Sequence, residues 1–175
     1  MIAIKKKICL LGTFAVGKTS TVQRFVYSRF DERYLTTIGV RISQKLMPPT
    51  EVPGRAEAVQ YNLLIWDIAG MDRFDTLVEN YYRGASGALA VGDLTRPDTF
   101  NQLDEICRRF RAVNPTATLV PVGNKVDLQP PGEEASAVMD RLAERFGTRP
   151  LATSAKSGEN VEAAFTQLVR QMGSR

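Results

Sequence analysis

Long apolar runs are scarce in this sequence, and their scarcity argues against an exported or membrane-spanning segment. The apolar stretch from Ile8 to Leu11 follows the lysines at 5–7 but ends at Gly12 after four residues. A secretory signal needs roughly 7–15 apolar residues, and a bilayer-spanning helix needs about 20. We therefore expect no signal peptide and no integral membrane segment.

Cysteine is also rare, which argues against a disulfide framework or a cysteine-held metal. The two cysteines are Cys9, inside an apolar stretch, and Cys107, within a helical pattern, and they share no motif spacing. Both are predicted to be buried small hydrophobic residues in a reducing, cytoplasmic compartment. The C-terminal segment 171–175 has no cysteine for prenylation, so peripheral membrane contact stays open: a shortened chain would have lost a lipidated tail.

Charge of one sign is not concentrated anywhere except at lysines 5–7. The 23 basic and 19 acidic residues give a net charge of +4, and the isoelectric point is near 9.2. This balance favours a solvated surface that attracts an anionic ligand, and we expect no nucleic-acid partner. The 175 residues, 43% of them hydrophobic, contain no repeat or linker, so we predict a single domain over 1–175.

The pattern of apolar residues predicts alternating strands and helices. Strands are predicted at 5–11, 39–47, 60–67, 86–92, 117–123 and 149–153, and helices at 19–28, 98–113, 133–146 and 159–172. Such alternation predicts an α/β fold with a mainly parallel sheet between helices. The second and third strands are predicted to form a long hairpin. The connection 47–58 separates them, because its prolines cannot continue a ladder of strand hydrogen bonds. That connection is either a tolerated surface insertion or a partner-specific contact.

Residues 12–19 form a phosphate-binding loop by pattern, Gly-Thr-Phe-Ala-Val-Gly-Lys-Thr, between a predicted strand and a predicted helix. In such a loop the backbone N–H groups turn inward around phosphates, and the helix N-terminus adds its positive end. Lys18 is predicted to meet the β- and γ-phosphate oxygens, and Thr19 to offer its hydroxyl to Mg²⁺. The loop indicates a bound nucleotide and leaves kinases and ATPases open.

The segment 124–127, Asn-Lys-Val-Asp, follows a predicted strand and indicates that the base is guanine. The Asp127 carboxylate can accept from guanine N1–H and from its 2-amino group at once, whereas adenine presents an acceptor there. Asn124 is predicted to hold the base edge and brace the loop, and the Lys125 stem to lie over the purine. After the next strand, the Ala155 N–H is predicted to donate to guanine O6.

Two further segments are candidates for sensing the γ-phosphate. Asp67 ends a predicted strand in the pattern Asp-x-x-Gly, so it can bind Mg²⁺ through water while Gly70 donates its N–H to the γ-phosphate. The same pattern is compatible with a helix-capping turn. Thr37 precedes the other hairpin strand and is a candidate for a second Mg²⁺ hydroxyl. On local pattern alone it is an ordinary loop threonine.

With these segments in this order, the chain resembles the Ras superfamily of small GTPases over essentially its whole length, and the Rab branch most closely. Besides the phosphate loop, the similarity is carried by 37–40, 65–67, 81–85, 124–127 and 154–156. The resemblance implies a six-stranded sheet with five helices and one antiparallel edge strand. It also implies a GTP/GDP switch that hydrolyses GTP, with Phe30 beside the guanine. Effector, exchange factor and activating protein would bind through 31–40 and 68–80.

The predicted site residues fall into three sets. Those for the nucleotide are Phe14, Ala15, Val16, Gly17, Lys18, Thr19, Ser20, Phe30, Tyr34, Thr37, Gly70, Asn124, Lys125, Asp127, Leu128, Ser154, Ala155 and Lys156. Those for Mg²⁺ are Thr19, Thr37 and Asp67, and the predicted catalytic residues are Lys18, Thr37, Gly70 and Met71.

Met71 departs from the family pattern, which has a water-orienting glutamine directly after the glycine that corresponds to Gly70. A thioether is a poor acceptor and cannot donate, so slow intrinsic hydrolysis is predicted. Asp72 or a residue supplied by an activating partner is a candidate substitute, and a GTP-bound interaction module with little or no hydrolysis is the alternative function.

The bulky ring of Phe14 is a second departure from the family pattern, and it can obstruct an arginine inserted by a partner. The missing terminal cysteine suits a bacterial relative or a shortened chain.

Overall fold

The described part of the chain, residues 1–33, 37–70 and 76–173 of a computed structural model, forms one sheet covered by helices. Its strands are β1 (Ile2–Leu11), β2 (Val40–Leu46), β3 (Val59–Ile68), β4 (Gly87–Asp93), β5 (Thr118–Asn124) and β6 (Leu151–Thr153). Its helices are α1 (Lys18–Tyr27), α2 (Val78–Tyr82), α3 (Asp98–Val113), α4 (Glu133–Phe146) and α5 (Val161–Gly173).

Among the described residues the sheet has the strand order β2-β3-β1-β4-β5-β6, and only the β2–β3 pair of these strands is antiparallel. This arrangement confirms the predicted six-stranded, mainly parallel sheet with one antiparallel edge strand. Because β1, β3, β4, β5 and β6 run the same way, their carboxyl ends share one edge. In open α/β sheets that edge is where ligands bind.

Two hydrophobic clusters cover the faces of the sheet. On one face, α1 and α5 pack together, and the Phe25 and Phe165 rings stack with centroids 3.8 Å apart. The apolar residues of α5 are buried there: Val161, Ala164, Phe165, Leu168, Val169 and Met172. On the other face, α2, α3 and α4 enclose Phe100, Phe110 and both cysteines, which confirms that Cys9 and Cys107 are buried.

The observed element boundaries differ from the predicted ones where long-range pairing decides them. Strand β1 begins at Ile2 rather than at residue 5, because Ile2 pairs with Val59 in the neighbouring strand. Strand β5 runs one residue further than predicted, so Asn124 is its last residue. Helix α2 was not predicted from the apolar pattern, since five residues are too few to show helical periodicity.

The connection 47–58 between β2 and β3 is partly folded onto the core. Thr50 pairs with Val59 beyond the hairpin ladder, and Met47 and Val52 are buried in the same cluster as Tyr61. Part of this insertion therefore contributes to the core instead of lying on the surface. None of the helices in the described part of the chain combines the length and apolarity that crossing a lipid bilayer requires.

Candidate functional site

A cavity of about 460 Å³ opens where the strands of the parallel sheet end. Loops after β1, β3, β5 and β6 contribute to its wall, although they are far apart in the sequence. The predicted site residues that line it are Phe14, Ala15, Gly17, Lys18, Thr19, Ser20, Phe30, Thr37, Asp67, Gly70, Asn124, Lys125, Asp127, Leu128, Ala155 and Lys156. The fold thus gathers the phosphate-loop, metal and base-reading candidates around one space.

Two of the predicted residues lie behind that wall, and two others lie outside the described residues. Val16 and Ser154 are fully buried behind it. Tyr34 and Met71, like the candidate substitute Asp72, lie outside the described residues.

The cavity wall also contains residues that the sequence analysis did not single out. They are Gln23, Asp31, Glu32, Arg33, Arg41, Ile68 and Ala69. Helical spacing could have identified Gln23, which stands four residues after Thr19 on the same face of α1. The others flank or fall within the segments already assigned to γ-phosphate sensing.

Every carbonyl of the phosphate loop from residue 12 to residue 16 accepts a hydrogen bond from a side chain. Lys18 Nζ donates to the first two carbonyls, at 2.7 and 2.8 Å. Arg96, Lys125 and Asn124 donate to the carbonyls of residues 14, 15 and 16, at 2.8, 3.1 and 3.0 Å. Across a trans peptide the C=O and the next N–H point in opposite directions. These three bonds therefore turn the N–H groups of residues 15–17 away from the donors, as an anion-binding loop requires.

Two glycines allow backbone contacts that a side chain would block. Gly17 precedes α1 with φ +99°, and a Cβ there would lie 2.2 Å from Asn124 Nδ2. Gly70 approaches the phosphate loop so closely that a Cβ would lie 2.5 Å from the Phe14 nitrogen. The segment after β3 is therefore in backbone contact with the phosphate loop, which suits a role in sensing phosphate.

Lys18 supplies a buried positive charge at this end of the cavity. Its side chain is only 6% exposed, and burial lowers its pKa to about 8. The negative charge of Asp67 opposes this lowering of the pKa, and the positive charge of Arg96 adds to it. A buried ammonium held by two carbonyls is well placed to receive an anion.

An oxygen cluster next to Lys18 fits a magnesium ion. Thr19 Oγ1 donates to Asp67 Oδ2 at 2.5 Å and lies 2.7 Å from Thr37 Oγ1. Asp67 Oδ1 is buried with no hydrogen-bond partner among the described residues. Burial raises the pKa of Asp67 above its usual value. The hydrogen bond from Thr19 and the positive charges of Lys18 and Arg41 lower it, but they offset only part of the effect of burial. Hydroxyl and carboxylate oxygens are ligands that Mg²⁺ prefers, and a cation would satisfy the orphaned oxygen.

Elsewhere in the same cavity wall, side chains from β5 and the loop after β6 hold the predicted base-reading residues in place. Ser154 Oγ donates to Asp127 Oδ1 at 2.7 Å, which orients that carboxylate. Asn124 Oδ1 accepts from the Ala155 N–H at 3.2 Å, so the predicted donation to guanine O6 would compete with this bond. Arg24 of α1, which the sequence analysis missed, donates to the carbonyls of Ala155 and Lys156.

The structure also answers where the Phe14 ring lies. Phe14 is 49% exposed and lines the cavity, so its ring is at the rim of the phosphate loop and not in the core. A group inserted from solvent at this rim would have to pass the ring.

Comparisons with known proteins agree with this geometry. A family model described as "Ras family" matches residues 7–174. The chain is 36% identical over 174 residues to the Ras-related protein Rab-31 of Rattus norvegicus, an alignment that covers 98% of this chain and 86% of that protein. The figures are the same for Rab-31 of Homo sapiens. The Ras-related protein Rab-13 of Mesocricetus auratus is 33% identical over 168 residues, covering 95% of this chain and 79% of that protein. The family match extends from β1 to α5 and includes every segment of the cavity wall.

Proposed function

The chain belongs to the Ras family of small GTP-binding switch proteins, and from this premise we propose that it is a Rab-like GTP/GDP switch with slow intrinsic hydrolysis. The observation that carries the proposal is that Lys18 and Asp127 line one cavity. One can neutralise phosphate and the other can read guanine. On this proposal residues 1–175 act as one GTP-binding domain in the cytoplasm.

The phosphates of the nucleotide would lie along residues 12–19. The N–H groups of this loop and the N-terminus of α1 donate to phosphate oxygens, and the Lys18 ammonium neutralises charge on the β- and γ-phosphates. Thr19, Thr37 and Asp67 would hold Mg²⁺, which when bound neutralises charge as the terminal phosphoryl group departs. Gly70 would donate its N–H to the γ-phosphate.

Loss of the γ-phosphate would break the contacts of Thr37 and Gly70 with the ligand. Thr37 lies within 31–40 and Gly70 within 68–80, so both segments respond to the same event. An effector that binds these segments would thereby distinguish the GTP state from the GDP state. We infer that an exchange factor and an activating protein bind there as well.

Slow hydrolysis follows from the chemistry of Met71, which occupies the position after Gly70. An attacking water has to be oriented by a group that both accepts and donates hydrogen bonds, and a thioether does not donate. Asp72 faces the objection that its carboxylate would stand near a strongly negative phosphate. A residue supplied by an activating partner is the better candidate for completing the catalytic site.

Replacing Met71 by glutamine is expected to raise single-turnover GTP hydrolysis by at least about tenfold, because the amide can orient the water. Phosphate release from the purified, GTP-loaded protein measures this rate. Leu77→Gln is the matched control, since it also replaces an apolar side chain by glutamine within 68–80. Leu77 is 60% exposed and stands seven residues after Gly70 along the chain. We expect the control to hydrolyse GTP at the unaltered rate.

The same assay separates the switch from the alternative of an interaction module that stays GTP-bound. Slow but measurable turnover that glutamine accelerates supports an impaired catalyst. Turnover that stays undetectable in both proteins favours the interaction module. Brisk hydrolysis by the unaltered protein would contradict both the slow rate and the alternative.

Replacing Asp67 by asparagine is expected to weaken Mg²⁺ binding about 10- to 100-fold, because the orphaned carboxylate loses its charge at nearly constant shape. Titration of Mg²⁺ against the rate of GDP release measures this affinity. In excess chelator the variant and the unaltered protein should release GDP equally fast. A difference that persists without Mg²⁺ would show that Asp67 acts on the nucleotide by another route.

A further inference from the structure

Arg96 lies in the turn between β4 and α3 and connects a buried carboxylate with the phosphate loop. Its Nε donates to Asp93 Oδ2 at 3.1 Å, and its Nη2 donates to the Phe14 carbonyl at 2.8 Å. The Arg96 N–H also donates to the Asp93 carbonyl at 2.9 Å, which closes the turn. Backbone and side chain therefore fix the position of the guanidinium together.

Asp93 is the anchor of this arrangement. It is fully buried, and its Oδ1 accepts from the N–H and the hydroxyl of Thr95 at 2.9 and 2.7 Å. Its Oδ2 accepts from Arg96 and lies 2.8 Å from Lys125 Nζ. Burial alone would raise the pKa of Asp93, but the hydrogen bonds from Lys125, Thr95 and Arg96 hold it below its usual value. Asp93 therefore stays ionised and holds two cations against the phosphate loop.

The two cations bracket the residue of the loop that most needs support. Ala15 has φ +62°, a left-handed conformation that a residue with a Cβ rarely adopts. Arg96 holds the carbonyl before it, that of Phe14, and Lys125 holds its own carbonyl at 3.1 Å. The peptide groups on both sides of Ala15 are thus fixed. An unfavourable backbone conformation persists only where its surroundings hold it.

Lys125 belongs to the base-reading segment, but Arg96 belongs to none of the motifs that predict nucleotide binding. We propose that Arg96 is a positioning residue that holds the Phe14–Ala15 peptide in its phosphate-binding orientation and thereby slows nucleotide release. The inference rests on the proposed function, because the retained ligand is the guanine nucleotide. The Ala15 N–H belongs to the same peptide as the Phe14 carbonyl and points away from Arg96. When Arg96 no longer holds that carbonyl, the peptide can rotate and the N–H can turn away from the phosphates. Arg96 also adds positive charge near the phosphate loop, and this charge contributes to the lowered pKa of Lys18.

Replacing Arg96 by alanine tests this role. We expect release of fluorescently labelled GDP, chased with excess unlabelled GDP, to become about tenfold faster, as for the loss of one charge-assisted hydrogen bond. Arg96→Lys keeps the charge but not the planar guanidinium that donates to both Asp93 and the Phe14 carbonyl. Its GDP release rate should therefore fall between those of the unaltered protein and Arg96→Ala. Arg108→Ala is the matched control, because Arg108 is an exposed arginine of α3 that pairs with Glu105. This control should release GDP at the unaltered rate.

The preference for GDP over inosine diphosphate, which lacks the 2-amino group, separates positioning of the phosphate loop from general damage to the site. If Arg96 acts on the loop, Arg96→Ala weakens both ligands equally and leaves their ratio unchanged. Three results would each overturn the inference: loss of the preference for GDP over inosine diphosphate in Arg96→Ala, GDP release from Arg96→Ala within twofold of the unaltered rate, or equally fast release from Arg108→Ala. None of these results would contradict the proposal that the protein binds GTP. If the unaltered protein binds no guanine nucleotide, the proposed function itself fails.

Discussion

Replacing Lys18 by methionine should lower the affinity for GDP and GTP by about a thousandfold, the scale expected when a buried charge partner is removed. The ammonium is buried, donates to two loop carbonyls and lies beside the oxygen cluster that fits Mg²⁺. Methionine keeps the apolar stem and much of the volume, so the loss reports the charge and its hydrogen bonds. Competition against labelled GDP measures the effect for both nucleotides.

The Lys18→Met experiment needs a control for net charge and one for folding. Lys5→Met removes the same charge from an exposed position of β1 and should bind GDP as the unaltered protein does. Thermal unfolding of Lys18→Met without nucleotide should match the unaltered protein within a few degrees. If Lys18→Met still binds GDP with undiminished affinity, residues 12–19 are not the phosphate site, whatever their pattern.

Asp127→Asn is expected to lower the affinity for GDP by about a thousandfold, because two charge-assisted hydrogen bonds to guanine are lost or opposed. The asparagine NH₂ would face a donor on the base where the carboxylate offered an acceptor. Xanthine carries a carbonyl in place of the 2-amino group, so the variant should prefer xanthosine diphosphate. The measurement is competition between the two diphosphates for each protein.

An inverted base preference identifies Asp127 as the reader of guanine in a way that simple weakening does not. Asp140→Asn makes the same replacement at an exposed position of α4 and should leave the preference for GDP unchanged. An Asp127→Asn protein that still favours GDP to the original extent would contradict the assignment of the base. Weak binding of both diphosphates would instead point to damage of the Ser154–Asp127 contact.

Much of the site could be predicted because its chemistry lies in short contiguous segments. The phosphate loop 12–19 and the segment 124–127 each carry several functional groups within a few residues, so their order along the chain indicated a guanine nucleotide. The alternation of strands and helices then placed both segments at the ends of parallel strands. The structure confirmed that sheet and brought both segments to one cavity.

Other parts of the site could not be predicted, since they depend on residues that no local pattern marks. Arg24 of α1 donates to a carbonyl of the loop at 154–156, and Gly70 is in backbone contact with Phe14. The connection 47–58 had two interpretations from sequence, and the burial of Met47 and Val52 added a structural role that neither contained. Packing between distant segments settled each of these points.

The sequence by itself determined the class of fold, and it predicted the loop proposed to receive phosphate and the residue proposed to read the base, because spacing within a segment of eight residues or fewer specifies which groups can face a ligand together. Only the tertiary structure decided how that loop is held. The Asp93 carboxylate gathers Arg96 and Lys125 at the end of β4, and these cations hold the peptides around Ala15. Those contacts join three separate strand ends, and it is the order and register of the sheet that bring the strand ends together.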